Sequence, residues 1–133
     1  MVAAMSEPSS LPNYKVLPDP GQNVLSISYS GHVTADAMKA CHGQVVKVLS
    51  TLRPGFTVLT DLSGLESMDL DCVIHLTKIM DQFRAKGVGT VVRVVPDPAK
   101  DIGFKILSII HLRRGVKIVT CENIAEAERA LKP

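Results

Sequence analysis

Alternating apolar and polar residues mark the first clear element of the chain. Leu25, Ile27 and Tyr29 alternate with serines at positions 26, 28 and 30, a pattern typical of a strand with one buried face. A shorter strand is predicted at residues 14–17. The stretch DPGQN at residues 19–23 lies between them and has strong turn chemistry. Together these segments predict an antiparallel hairpin.

The remaining chain alternates between helical periodicity and short apolar strands. Thr34 is the predicted N-cap of a first helix that stops at Pro54-Gly55. A second helix is predicted at 70–86, with Val73, Leu76, Met80 and Phe83 on its buried face. The other predicted elements are strands at 56–62, 88–95 and 116–120 and helices at 99–112 and 123–131. Strands separated by helices pair in parallel, so the order ββαβαβαβα predicts an α/β fold with a small mixed sheet and helices mainly on one face.

Composition fits one globular domain. The chain has 133 residues, of which 46% are hydrophobic and 21% charged. We expect a flexible tail at residues 1–13, rich in Ser, Pro and Ala, and a single domain at 14–133. The net charge of +2 gives no reason to expect nucleic-acid binding. The three widely spaced cysteines suggest reduced thiols and a cytoplasmic protein, and no apolar run is long enough for membrane insertion.

A cluster of carboxylates surrounds the predicted start of the second helix. Asp61, Glu66, Asp69 and Asp71 fall within eleven residues, and no Lys or Arg occurs between residues 54 and 77. Asp69 is predicted to cap the helix, and Asp71 to gain from the helix dipole in the first turn. The cluster therefore either stabilises a helix start or forms an acidic docking surface.

The same cluster contains residue types that occur in catalytic and metal sites. Asp71 and His75 are one turn apart on a helix, with Cys72 between them, but no second group of metal ligands occurs in the sequence. Cys72 in a first helical turn could be a nucleophile, yet the neighbouring carboxylates raise the pKa of a thiol. We therefore expect no enzyme, no metal and no cofactor.

The predicted helix at 99–112 is more apolar than a surface helix needs. Phe104, Leu107 and Ile110 form a second apolar stripe beside the one that must pack on the sheet. This stripe either binds a partner, a second copy of the chain or a hydrophobic ligand, or is covered by neighbouring parts of the fold.

Three segments resemble the STAS family of sulfate-transporter tails and anti-sigma-factor antagonists. They are SYSGHVTADAM, VLTDLSGLESMD and NIAEAERAL, and the similarity runs from about residue 23 to residue 131. The resemblance implies a right-handed β-α superhelix on a small sheet, in agreement with the predicted order of elements. Within this family, the resemblance is to the anti-sigma-factor antagonists and to the stage II sporulation protein AA-like group.

The resemblance also implies a function and a site. The antagonists carry a phosphorylated Ser or Thr in the first turn of the corresponding helix, where this chain has Asp71, so phosphorylation cannot switch it at that position. The resemblance implies a regulatory protein-interaction module whose partner is an anti-sigma kinase-like protein or a transporter ATPase. The predicted partner-binding residues are Ser67, Asp69, Leu70, Asp71, Cys72 and His75. The alternative is a lipid-binding protein, or a small subunit of a lipid-transport complex, that uses Phe104, Leu107 and Ile110; a homodimer is compatible with either.

Overall fold

The structure, a computed structural model, describes residues 13–97 and 116–131. The strands are β1 (Tyr14–Asp19), β2 (Val24–Val33), β3 (Thr57–Met68), β4 (Thr90–Val94) and β5 (Lys117–Cys121). The helices are α1 (Ala35–Leu49), α2 (Cys72–Lys86) and α3 (Ile124–Leu131). The helix predicted at 99–112 lies outside the described residues.

The strands form one five-stranded mixed sheet in the order β1-β2-β3-β4-β5. β1 and β2 pair antiparallel as the predicted hairpin, and each later strand pairs in parallel with the one before it. The predicted α/β class with a mixed sheet is confirmed.

Helices pack on both faces of the sheet, and the core on one face is much larger than the core on the other. The main core joins α1 and α2 to the apolar faces of β2 and β3, with Leu25, Ile27 and Val58 at its centre. Because side chains alternate along a strand, Val92 and Val94 of β4 point to the opposite face. There they pack with Cys121 and with Ala127 of α3 in a smaller cluster.

The predicted N-cap of α1 forms as expected, and a side chain caps α3 in the same way. The hydroxyl of Thr34 accepts a hydrogen bond from the amide of Ala37 at 3.1 Å, and Asn123 Oδ1 accepts one from the amide of Glu126 at 2.9 Å. These side chains satisfy amides that the first helical turn leaves unpaired.

Several predicted boundaries differ from the structure. The first helix, predicted to stop at Pro54-Gly55, ends at Leu49. The third strand, predicted at 56–62, continues to Met68, because its parallel neighbour β2 continues beside it to Val33 through two register shifts. The second helix begins at Cys72 and not at residue 70, and ends as predicted before Gly87. That glycine has a left-handed φ of 95° and donates its amide to the carbonyls of the last turn.

The start of the described chain is attached to β2. Of the tail expected at 1–13, only Asn13 is described; its carbonyl accepts from the amide of Ser30 at 3.0 Å, and its side chain donates to the carbonyl of His32 at 2.6 Å. No helix within the described ranges is long and apolar enough to cross a membrane.

Candidate functional site

The predicted site lies where β3 passes into α2, at the carboxyl edge of the parallel strands. The Asp69 amide donates to the carbonyl of Val33 at 3.0 Å, which ties the end of β3 to the end of β2. The Cys72 amide in turn donates to the carbonyl of Asp69 at 3.0 Å and begins the helix. The end of β3 and the start of α2 therefore lie beside the end of β2.

Ser67 and Asp69 converge on a residue that the sequence analysis missed. Ser67 Oγ lies 2.6 Å from Nδ1 of His32, and Asp69 Oδ1 lies 2.8 Å from Nε2 of the same ring. All three side chains are at the surface: those of His32 and Asp69 are 50% and 44% exposed. We call this set the Ser67–His32–Asp69 array.

Hydrogen-bonding rules determine the proton positions in the array when the imidazole is neutral. An ionised carboxylate only accepts, so the Nε2 atom of His32 carries the hydrogen that it donates to Asp69. The Nδ1 atom of the neutral ring is then an acceptor, and the Ser67 hydroxyl donates to it. The array therefore runs in one direction, from hydroxyl to imidazole to carboxylate.

The pairing of β2 with β3 brings the array together. His32 lies opposite Ser67 in the register, directly after a register shift at Gly31, whose φ of 61° is left-handed. Ser67 and Asp69 are two residues apart, which places both side chains on the same side of an extended chain. β3 was predicted to end at residue 62, so the local pattern gave no reason to place Ser67 beside His32.

Asp69 does not cap α2, contrary to the prediction. Its Oδ2 accepts from the amide of Ala35, the first residue of α1, at 3.3 Å, while Oδ1 binds His32. The N-cap of α2 is Asp71, whose side chain makes no capping hydrogen bond. The longer β3 carries Asp69 beside the end of β2, where the start of α1 and the His32 ring take both of its carboxylate oxygens.

Three apolar side chains at the start of α2 face solvent. Leu70 is 89% exposed, Val73 44% and Ile74 59%. The prediction that Val73 is buried was wrong, because the buried stripe of α2 follows the phase of Cys72 and Leu76 and turns residues 73 and 74 outward.

Carboxylates surround this apolar patch. Asp71 and Glu66 are exposed, and Asp69 is partly exposed. We call Glu66, Asp69 and Asp71, together with Leu70, Val73 and Ile74, the corner surface.

Cys72 lies beneath the corner surface and not on it. It is fully buried, and its thiol donates to the carbonyl of Val33 at 3.5 Å. Burial raises the pKa of the Cys72 thiol, and the charges of Asp69 and Asp71 add to that effect, as the sequence analysis expected. The thiol is therefore protonated and shielded, which disfavours it as a nucleophile.

His75 lies one turn further along α2 and is partly buried. Its Nδ1 has no hydrogen-bond partner among the described residues, and within the same residues it forms no ion pair with Asp71. Burial lowers the pKa of His42 on α1, helped by the nearby Lys78 and His75. In the part of the chain that the structure describes, no three His, Cys, Asp or Glu side chains are grouped as metal ligands.

The predicted hydrophobic-ligand surface at Phe104, Leu107 and Ile110 lies outside the described residues. Within the described residues, a small cavity is lined by Leu62, Leu65 and Val95 among others. Its volume is about 30 Å³. That volume holds a water molecule and not an acyl chain.

Comparison with known proteins identifies the fold. Neither a scan against protein-family models nor a search of curated proteins gives a match. Among solved structures, an uncharacterized DUF3478-family protein with a SpoIIAA-like fold from Shewanella loihica PV-4 has a TM-score of 0.71 at 14% identity, over 92% of this chain and 96% of that one.

Two anti-sigma factor antagonists are also similar. SpoIIAA in its unphosphorylated form has a TM-score of 0.60 at 13% identity, over 88% of this chain and 96% of its own. An anti-sigma factor antagonist from Mycobacterium paratuberculosis has a TM-score of 0.58 at 16% identity, over 92% and 98%. The chain therefore has a SpoIIAA-like fold, as the sequence resemblance predicted.

Proposed function

We propose that this STAS-like domain is a regulatory protein-interaction module that binds its partner through the corner surface. The observation that carries the proposal is the exposure of Leu70, Val73 and Ile74 within five residues of one another. Val73 and Ile74 lie in the first turn of α2 and Leu70 lies in the turn that leads into it, and exposed apolar side chains grouped on a domain surface commonly mark an interaction site. The likeness to two anti-sigma factor antagonists supports a docking role over other uses of the fold.

Charge specifies the kind of partner. The apolar patch is bordered by Glu66, Asp69 and Asp71, and the sequence offers no Lys or Arg between residues 54 and 77 to neutralise them. A complementary partner has an apolar pocket rimmed by Lys or Arg. The steering charges predict faster association at low ionic strength than at high ionic strength.

Asp71 makes this docking independent of phosphorylation at that position. The sequence resemblance aligns Asp71 with the hydroxyl that anti-sigma-factor antagonists phosphorylate, and Asp71 has no hydroxyl for such a kinase to modify. It supplies one negative charge at the start of α2, where phosphate would supply about −1.5 to −2. The corner surface therefore has a permanent charge.

Photo-crosslinking tests the proposal. A photoreactive amino acid replaces Leu70 in one variant and Leu17, which is 55% exposed on β1, in a matched control. We expect a crosslinked protein in native cells from position 70 and not from position 17. We also expect Asp71→Arg to reduce its yield at least about tenfold, because like charges facing each other at an interface cost more than 1.4 kcal/mol. Identical products from both positions, or a yield that Asp71→Arg leaves unchanged, would refute docking through the corner surface.

A further inference from the structure

We propose that the Ser67–His32–Asp69 array makes Ser67 a nucleophile that accepts acyl groups from neutral or cationic carboxylic esters. This activity goes beyond docking and differs from the expectation of no catalysis. The inference rests on geometry: 2.6 Å from hydroxyl to imidazole and 2.8 Å from imidazole to carboxylate. Both distances lie within the range for proton transfer, and a base oriented by a third group is the signature of an activated nucleophile.

Hydrogen bonds fix both the carboxylate partner of His32 and the backbone of His32 itself. The carboxylate that orients His32 is itself fixed, because Asp69 Oδ2 accepts from the amide of Ala35 at 3.3 Å. The backbone carbonyl of His32 accepts from the side chain of Asn13 at 2.6 Å. Asp69 requires the tautomer of His32 in which Nδ1 is free to accept the serine proton. Relative to the familiar serine hydrolases the two ring nitrogens are exchanged, but the roles of the three side chains are the same.

The reaction has two steps. In the first step Ser67 Oγ bonds to the carbonyl carbon of the ester while its proton moves to Nδ1 of His32. The bond from that carbon to the alkoxy oxygen then breaks, and the alcohol departs with the proton from His32. In the second step a water molecule gives a proton to the same nitrogen while its oxygen bonds to the acyl carbon. The bond from that carbon to Ser67 Oγ then breaks, the carboxylic acid departs, and His32 returns the proton to Ser67 Oγ.

The charges around the array determine the substrate class. Glu66, Asp69 and Asp71 repel an anionic ester and favour a neutral or cationic one. The exposed Leu70 offers apolar surface to an acyl chain. Because His32 and Asp69 are about half exposed, water competes for the array and turnover is slow. Covalent labelling is therefore a better readout than steady-state hydrolysis.

Labelling with an uncharged alkyl fluorophosphonate, followed by peptide mass mapping, tests the inference. Ser67 attacks phosphorus, fluoride leaves, and the adduct stays on the serine. We expect one adduct at Ser67, its loss in Ser67→Ala, and a labelling rate about 100-fold lower in His32→Gln. Ser63 is the matched control, since it is exposed on the same strand and its hydroxyl bonds to Asp61 at 2.5 Å with no imidazole. Ser63→Ala should label like the wild type.

A comparison within the unmodified protein provides a second test that does not depend on a variant folding. Ser67, whose hydroxyl bonds to an imidazole, should acquire the adduct much faster than Ser63, whose hydroxyl bonds to a carboxylate alone. The inference is overturned if Ser67 labels no faster than Ser63, or if His32→Gln labels at the wild-type rate. These outcomes are independent of docking, which the crosslink from position 70 reports separately.

Discussion

Replacing Asp71 with Arg should alter the surface of the domain and leave its fold nearly intact. Asp71 is the N-cap residue of α2, yet its side chain makes no capping hydrogen bond. Its only expected contribution to stability is the interaction of its charge with the helix dipole, about 0.3–1 kcal/mol. Asp71→Asn removes that amount, and Asp71→Arg about twice as much, ~0.6–2 kcal/mol, since the sign of the charge is reversed.

Urea denaturation of the wild type and both variants at two salt concentrations measures this effect. The loss in Asp71→Arg should leave the protein folded, because domains of this kind are stable by about 5–15 kcal/mol. The loss should also shrink at ~1 M salt, because Asp71 is exposed and solvent ions screen its charge. Thr34→Ala is the comparison, because it removes a side chain that makes a capping hydrogen bond. It should lower the free energy of unfolding by about 1 kcal/mol, and salt should not change this loss. A loss above about 3 kcal/mol in Asp71→Arg, or one that salt leaves unchanged, would show that Asp71 holds the fold together and is not free to serve a partner.

Three further predictions concern the core and the ligand state. Burial raises the pKa of Cys41 from 9.0 to about 11, so its contribution to stability is complete below about pH 9 and is lost as the pH rises toward 11. Between about pH 8 and about pH 10 the wild type should lose about 1.3 kcal/mol more than Cys41→Ala in urea denaturation under reductant, and equal losses would contradict this. Phe56→Ala should lower the free energy of unfolding by about 3–5 kcal/mol, because Phe56 is fully buried and packs edge-to-face on Phe83, with ring centroids 6.3 Å apart. The exposed control Leu17→Ala should change it by less than about 0.5 kcal/mol. Similar losses in both variants would contradict the described core. Native mass spectrometry of fresh protein should give the sequence mass, and extra mass lost on denaturation would favour the lipid-binding alternative over docking.

Short-range sequence patterns predicted the helices and strands of the described residues. Alternation at Leu25, Ile27 and Tyr29 predicted a strand whose apolar side is buried, and those three side chains are 0–3% exposed. Thr34 marked the beginning of α1 correctly, and the helical pattern ended at residue 86, where α2 ends. Capping and strand alternation depend on neighbours a few residues away, and the sequence displays these directly.

The tertiary structure decided which side chains meet at the candidate site. Ser67 and Asp69 were predicted as site residues, but His32 lies 35 and 37 residues away and joins them only through the register of β2 with β3. The same pairing places the Asp69 carboxylate where it accepts from the first amide of α1, although the local pattern predicted that it caps α2. Register depends on how two distant strands align along their whole length, including the shift at Gly31, and no local pattern encodes that alignment.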